Sequence, residues 1–239
     1  IWVPFLLICG PVFSQVRSIE AVKTIQAPKI DGHLDDPVWN TVSPVSGFVQ
    51  NFPTYGIPAS QNSEVKIVYD NSAIYIGAML FDDPALIRKQ ITARDGEQQS
   101  DVDYFSVFFD TYNDKQNGFQ FLVTTANVQT DAKLGPNLGE GTFSFGDKTW
   151  DAVWDSKVHI GTNGWSVEMR IPYISLRFAK KDVQTWGLQF LRFIRRTNEN
   201  NYWNPVNPQV NGFVNQFGAL TGLKEIVPPL RLSFSPYVT

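Results

Sequence analysis

The chain has 239 residues, 43% of them hydrophobic and 14% aromatic, which is enough apolar surface for one large β domain or two small ones and excludes a disordered polymer. Lys and Arg number 20 against 23 Asp and Glu, a formal net charge of -3, so there is no basic footprint for nucleic acid or anionic lipid. The single cysteine, Cys9, lies in an apolar leader, so no disulfide is expected in the mature chain.

Residues 1–14, I-W-V-P-F-L-L-I-C-G-P-V-F-S, carry no charge and are too short to form a stable bilayer span. They read as a secretory signal truncated at its start, with Val12 and Ser14 as the small residues before a cut ahead of Gln15. Export to the periplasm, cell surface or outer membrane is therefore expected. A buried first strand is the alternative, and Ile8 before Cys9 argues against a lipoprotein anchor.

Strand signals dominate the rest of the chain. Glu64 to Asp70 alternates with Val65, Ile67 and Tyr69 on one face, and Ala73 to Phe81 is apolar on both faces, as in a central strand. Asp70-Asn71-Ser72 between them has hairpin composition. Asp103 to Asp110 and Phe119 to Thr125 form a second hairpin around T-Y-N-D-K-Q-N-G, and Trp165 to Ile171 and Trp186 to Arg196 supply two more strands. Six or more strands with turn-rich spacers point to an all-β, antiparallel, jelly-roll-like β-sandwich with short helical turns. Asp36-Pro37 and Asp83-Pro84 mark those turns, each with a carboxylate suited to capping. Asp131 to Lys148 reads as a long glycine-rich loop. The diproline Pro228-Pro229 and the alternating tail L-R-L-S-F-S-P-Y-V-T suggest that residues 228–239 are a linker and the first strand of a following domain, a β-barrel being one candidate, after a sandwich over 15–227.

The alternation also assigns faces. If Phe105, Val107, Phe109, Phe119, Phe121, Val123, Trp186, Leu188 and Phe190 point inward, then Tyr104, Ser106, Phe108, Gln120, Leu122, Thr124, Gln189, Leu191, Phe193 and Arg195 point outward. Such a greasy outer face either holds a ligand or is covered, by the Asp131 to Lys148 loop or by a following domain. The covered reading is slightly preferred.

Chemistry-bearing groups are sparse. His33 and His159 have no Cys, His or carboxylate at metal-ligand spacing, and no zinc site is expected. Asp82-Asp83 and Asp101-x-Asp103 are weak calcium candidates, with solvated caps as the plainer reading, so no cofactor is expected. Glu168 is the best single candidate for an acid in glycoside hydrolysis, although a surface or ion-paired role is preferred. Arg192, Arg195, Arg196, Glu199, Tyr202 and Trp203 concentrate guanidinium forks and an indole, which suit a polyhydroxylated or carboxylated ligand, with Arg94 joining from an earlier loop. An Arg-Glu network that fixes a hairpin is the alternative.

Six ordered pieces carry a family resemblance: I-D-G-H-L-D-D-P-V-W (30–39), V-K-I-V-Y-D-N-S-A-I-Y-I-G (65–77), D-Y-F-S-V-F-F-D (103–110), G-W-S-V-E-M-R-I-P (164–172), W-G-L-Q-F (186–190) and F-G-A-L (217–220). From about Ile30 to Leu223 the chain resembles the family-9 carbohydrate-binding modules, and W-D-A-V-W (150–154) with S-L-R-F (175–178) is similar to a subgroup that precedes an outer-membrane β-barrel. The resemblance implies a β-sandwich that binds carbohydrate noncovalently, in carbohydrate catabolism. In the sugar-binding members an aromatic precedes the strand that opens at Asp103, where this chain has Gln98-Gln99-Ser100; their mid-strand carboxylate corresponds to Ser106. The expected ligand-binding set is Arg94, Ser106, Gln120, Thr124, Gln189, Arg195 and Trp203, with Trp203 folding back over the outer face as a stacking ring. Two other readings stay open: a structural domain docked on a membrane β-barrel, and an accessory part of a glycoside hydrolase.

Overall fold

The computed structural model describes residues 16–97, 100–136 and 146–228. The expected signal (1–14) and nearly all of the expected tail (229–239) lie outside the described residues. Among the described residues, thirteen strands form two sheets. The larger contains β1 (Ser18–Glu20), β3 (Val49–Phe52), β6 (Tyr104–Asp110), β7 (Gly118–Thr124), β8 (Gln129–Leu134), β11 (Val183–Ile194), β12 (Glu199–Tyr202) and β13 (Gly218–Lys224), and runs β1-β13-β11-β6-β7-β8, with β12 pairing β11 and β3. The smaller runs β2-β4-β5-β10-β9 over β2 (Val22–Lys23), β4 (Ser63–Tyr69), β5 (Ala73–Phe81), β9 (Asp155–Gly161) and β10 (Gly164–Pro172). The β-sandwich expected from the alternation is the fold observed. Two short parallel pairs depart from the antiparallel rule, β1 with β13 and β2 with β4. Both arise because the N-terminal segment crosses from one sheet to the other at the buried Ala21.

Period-two alternation sets the main core. Phe105, Val107, Phe109, Phe121, Trp186, Leu188 and Phe190 of the larger sheet meet Ile67, Ile76, Leu80, Trp165, Val167 and Met169 of the smaller. The β4–β5 hairpin turns on Asp70, whose Oδ1 accepts the backbone N–H groups of Ser72 (2.7 Å) and Ala73 (2.9 Å), as an Asx turn requires. The turn after Asp36 is a 3-10 segment, Pro37–Thr41, but Asp36 does not cap it. Its carboxylate accepts the Lys29 N–H at 2.7 Å instead.

Two outer layers flank the core. On the smaller sheet, Val38 and Trp39 pack on Val68, Ala73 and Tyr75. On the larger sheet, Tyr104, Phe108, Leu122, Leu191, Phe193 and Tyr202 form a second apolar cluster with Leu134, Val214 and Phe217. The greasy outer face is thus covered, and its cover comes from the segment after β12. The expected loop from Asp131 to Lys148 is corrected at both ends: β8 runs to Leu134, and Lys133 pairs with Asp147. Residues 137–145 lie outside the described residues.

Candidate functional site

The outer face of the larger sheet holds four of the expected residues side by side, because β6, β7 and β11 alternate in register: Ser106 opposes Leu122 and Leu191, Gln120 opposes Phe108, and Gln189 also opposes Phe108. All four, Ser106, Gln120, Thr124 and Gln189, are buried, and each is engaged locally. Gln120 Nε2 donates to Ser106 Oγ at 3.1 Å, leaving Gln120 Oε1 buried with no partner among the described residues. Thr124 Oγ1 accepts the Val128 N–H at 3.1 Å, closing the β7–β8 turn. Gln189 Nε2 donates to the Asn204 carbonyl at 2.7 Å while its Oε1 accepts the Asn204 N–H at 2.9 Å. That amide pairs with the backbone as a neighbouring strand would, and so moors the covering segment to the sheet.

The other three expected residues lie elsewhere. Arg94 pairs with Asp131, which sits opposite Phe121 on β8 and so belongs to the inward-facing row. Arg195 opens a 3-10 turn after β11; its backbone N–H donates to Asp103 Oδ1 at 2.7 Å and its side chain is half-buried. Trp203 does not fold over the outer face. It is buried in the main core, 5.7 Å from the Phe190 ring, and its carbonyl accepts from Arg17 Nη1 at 2.5 Å. A Cβ at Gly218 would stand 2.5 Å from the indole, so glycine there makes the room. Trp203 borders a shallow recess of about 510 Å³ with Arg17, Val45 and Ser46.

Arg192 and Arg196 of the 192–203 segment share one carboxylate, Asp82. Arg192 lies on the inward face of β11 with its side chain 1% exposed, and it donates to the Asn62 and Phe81 carbonyls and to Asp82 Oδ2 (3.0 Å). Arg196 clamps the same carboxylate with two bonds, 2.9 and 2.7 Å. Burial pushes the Arg192 guanidinium down to about 10, which still leaves it charged at neutral pH. Asp82, a calcium candidate in the sequence, is therefore the counter-charge of two arginines, and Glu199 accepts the Ser60 N–H at 2.9 Å. Asp101 pairs with Arg88, and the buried Asp103 accepts the Arg88 N–H as well as that of Arg195. Glu168, the candidate acid, is fully buried, accepting Asp31 and Gly32 N–H at 2.9 Å each and Trp39 Nε1–H at 2.8 Å. It fastens the I-D-G…W segment to β10.

Among the described residues, a cleft of about 580 Å³ lies at the end of the covering segment. Phe213, Val206 and Leu134 supply apolar lining, and Asn51, Gln116, Asn207, Asn211, Asn215 and Gln216 supply amides, with Lys115 at the rim. Phe213 is half-buried and held edge-on by Phe108 (5.2 Å, 85°) and Phe217 (5.0 Å, 85°). Gln216 ties the segment into shape, its Oε1 accepting Asn207 N–H at 2.7 Å and its Nε2 donating to the Gly212 carbonyl at 2.7 Å. A rigid aromatic beside neutral amides suits an uncharged polyol, which offers CH faces and hydroxyls together. The sequence signal for this cleft, the amide-rich run N-P-V-N-P-Q-V-N-G-F-V-N-Q, carries no strand periodicity.

A family model described as carbohydrate family 9 binding domain-like matches residues 30–215. Two solved structures of a family-9 carbohydrate-binding module from Caldicellulosiruptor kristjanssonii are similar in fold. The one in complex with cellotriose gives a TM-score of 0.60 at 20% identity, covering 92% of this chain and 100% of that one. The one in complex with glucose gives 0.59 at 21% identity, covering 89% and 100%. No curated protein sequence matches.

Proposed function

The chain belongs to the carbohydrate family 9 binding-like domains, and from that premise we propose that it is a noncovalent sugar-binding module whose ligand enters the cleft beside Phe213. The observation that carries this reading is the family match across the sandwich; the amide-lined cleft on the outer face of the larger sheet supports the location. Phe213 supplies the apolar platform, and Gln116, Asn207 and Asn211 supply directed hydrogen bonds. Gln189 supports the site from beneath by mooring the covering segment to the sheet. The apolar run over 1–14 supports export, and capture of sugars for catabolism outside the cytoplasm is the setting proposed.

Isothermal titration with glucose, cellotriose and a panel of other neutral oligosaccharides tests the proposal. Saturable binding of at least one sugar is expected. Phe213→Ala should weaken it at least tenfold, about 1.4 kcal/mol, because a stacked aromatic is a typical binding hot spot. Gln116→Ala, on an exposed turn, should weaken it less and leave the fold unchanged. Absence of heat with every sugar at millimolar concentration contradicts the proposal.

A further inference from the structure

The chain's two histidines are far apart in sequence, yet the fold brings their rings to 4.0 Å between centroids with planes inclined at 35°. Both are exposed. They lie on the outer face of the smaller sheet, the side of the sandwich away from the proposed sugar cleft, since His159 of β9 is paired with Ser166 of β10. We propose that His33 and His159 form a two-imidazole site for a first-row transition metal of the zinc, copper or nickel kind, which would clasp the 30–39 segment to β9.

The approach of the rings is fixed by the backbone beneath them. Gly32 has φ +91, and a Cβ there would meet the β9 backbone at Val158 C (2.9 Å) and His159 N (3.0 Å), so the segment lies flat on the strand only because glycine stands at that position. Ser166 Oγ donates to the Gly32 carbonyl at 2.6 Å, and Glu168 accepts the Gly32 N–H at 2.9 Å. His33 is then oriented by its own N–H, which donates to Asp31 Oδ1 at 3.0 Å. His159 reaches along its strand towards Gly161, whose Cβ position lies 3.6 Å from Nε2, an ordinary van der Waals distance. Two bonds from β10 therefore hold the backbone under His33 beside β9, and a local turn bond sets the start of that side chain.

Imidazole nitrogens bind zinc at about 2.0–2.1 Å, so two of them on a tetrahedral ion stand about 3.3 Å apart. On such an ion the two ring centroids stand about 5 Å apart, so the rings, now 4.0 Å apart, must turn outward about their side-chain torsions, and their exposure permits that. Imidazole suits zinc, copper and nickel, whereas calcium and magnesium prefer oxygen donors. The nearby charges are mixed: Asp31 is ion-paired with Lys29 at 2.9 Å, and Lys157 precedes His159 on the same face of β9. With two protein donors, water would complete the coordination shell.

The test is titration of Zn2+ and, separately, Cu2+ into the untagged chain in a buffer without coordinating groups. One equivalent per chain is expected, and the copper form should show hyperfine coupling to two imidazole nitrogens by electron paramagnetic resonance. His33→Asn and His159→Asn should each weaken binding at least tenfold, and zinc should raise the unfolding midpoint of the parent but not of either variant. Because both side chains are exposed, the variants should keep the parent's circular dichroism spectrum. Absence of binding at submillimolar metal, or equal affinity in parent and variants, overturns the proposal, and neither result bears on sugar binding.

Discussion

Asp82→Ala should lower the stability of the folded chain by about 3–5 kcal/mol, the cost of removing one partner from a buried ion pair. Asp82 is the carboxylate that faces Arg192 and Arg196 together, with the Arg192 and Asp82 side chains 1% and 0% exposed. The bonds from Arg192 to the Asn62 and Phe81 carbonyls join β11 of one sheet to the residue before β4 and to β5 of the other, so the guanidinium bridges the sandwich. Without Asp82 it would remain buried and charged between the sheets with only neutral acceptors in contact. Urea unfolding should show the midpoint falling by about 1 M or more with the slope unchanged. The double change Asp82→Leu with Arg192→Met should cost less than Asp82→Ala alone, because it removes the stranded charge. A loss under about 1 kcal/mol for Asp82→Ala would mean that water reaches Arg192 and that the network is not sealed.

Glu168→Ala should cost about 4 kcal/mol, since it strands two buried donors and one half-buried donor at about 1–3 kcal/mol each. The donors are Asp31 N, Gly32 N and Trp39 Nε1, so the damage falls on the segment that covers the outer face of the smaller sheet. Glu168→Gln should cost less, because the amide oxygen still accepts from one side while its NH2 opposes a donor on the other. Burial raises the Glu168 carboxyl above the usual carboxylate range even though three donors favour its charged form. The folded state then holds this proton more tightly than the unfolded chain. The group's contribution is accordingly fully present below the unfolded pKa and declines as pH rises through the folded one. Stability measured against pH should lose that component in Glu168→Gln; an identical pH profile in parent and variant would place the carboxylate in water.

The strands that build the site are readable because their alternation is strict. Phe105, Phe121 and Phe190 point inward and Ser106, Gln120 and Gln189 outward, as a period of two demands. Trp203 breaks the pattern. It follows a polar stretch, which suggests an exposed ring, but Gly218 leaves a space in the core that only a large side chain fills, and no local signal reports a contact with a residue that distant in sequence. Asp131 to Leu134 of β8 read as loop for a related reason. The strand is paired on the β7 side along its length, and its Gln, Thr, Asp and Lys satisfy side-chain partners instead of an apolar alternation. The covering segment is equally hidden, since its order comes from Gln216 and Gln189 bonding to backbone rather than from periodicity. The contact between His33 and His159 depends on where Gly32 lies on β9, a tertiary fact that spacing alone does not contain.

Sugar binding at the Phe213 cleft, on the outer face of the larger sheet, is tested most directly by residue-level mapping with NMR, in which cellotriose is titrated into the isotope-labelled chain and amide shifts are followed. Saturable perturbations are expected to cluster in residues 206–216 and at Lys115 and Gln116, the two sides of the cleft, with Trp203 and the His33 face unmoved. Perturbations centred on the recess beside Arg17 and Trp203, or none under saturating cellotriose and glucose, would contradict binding at that cleft.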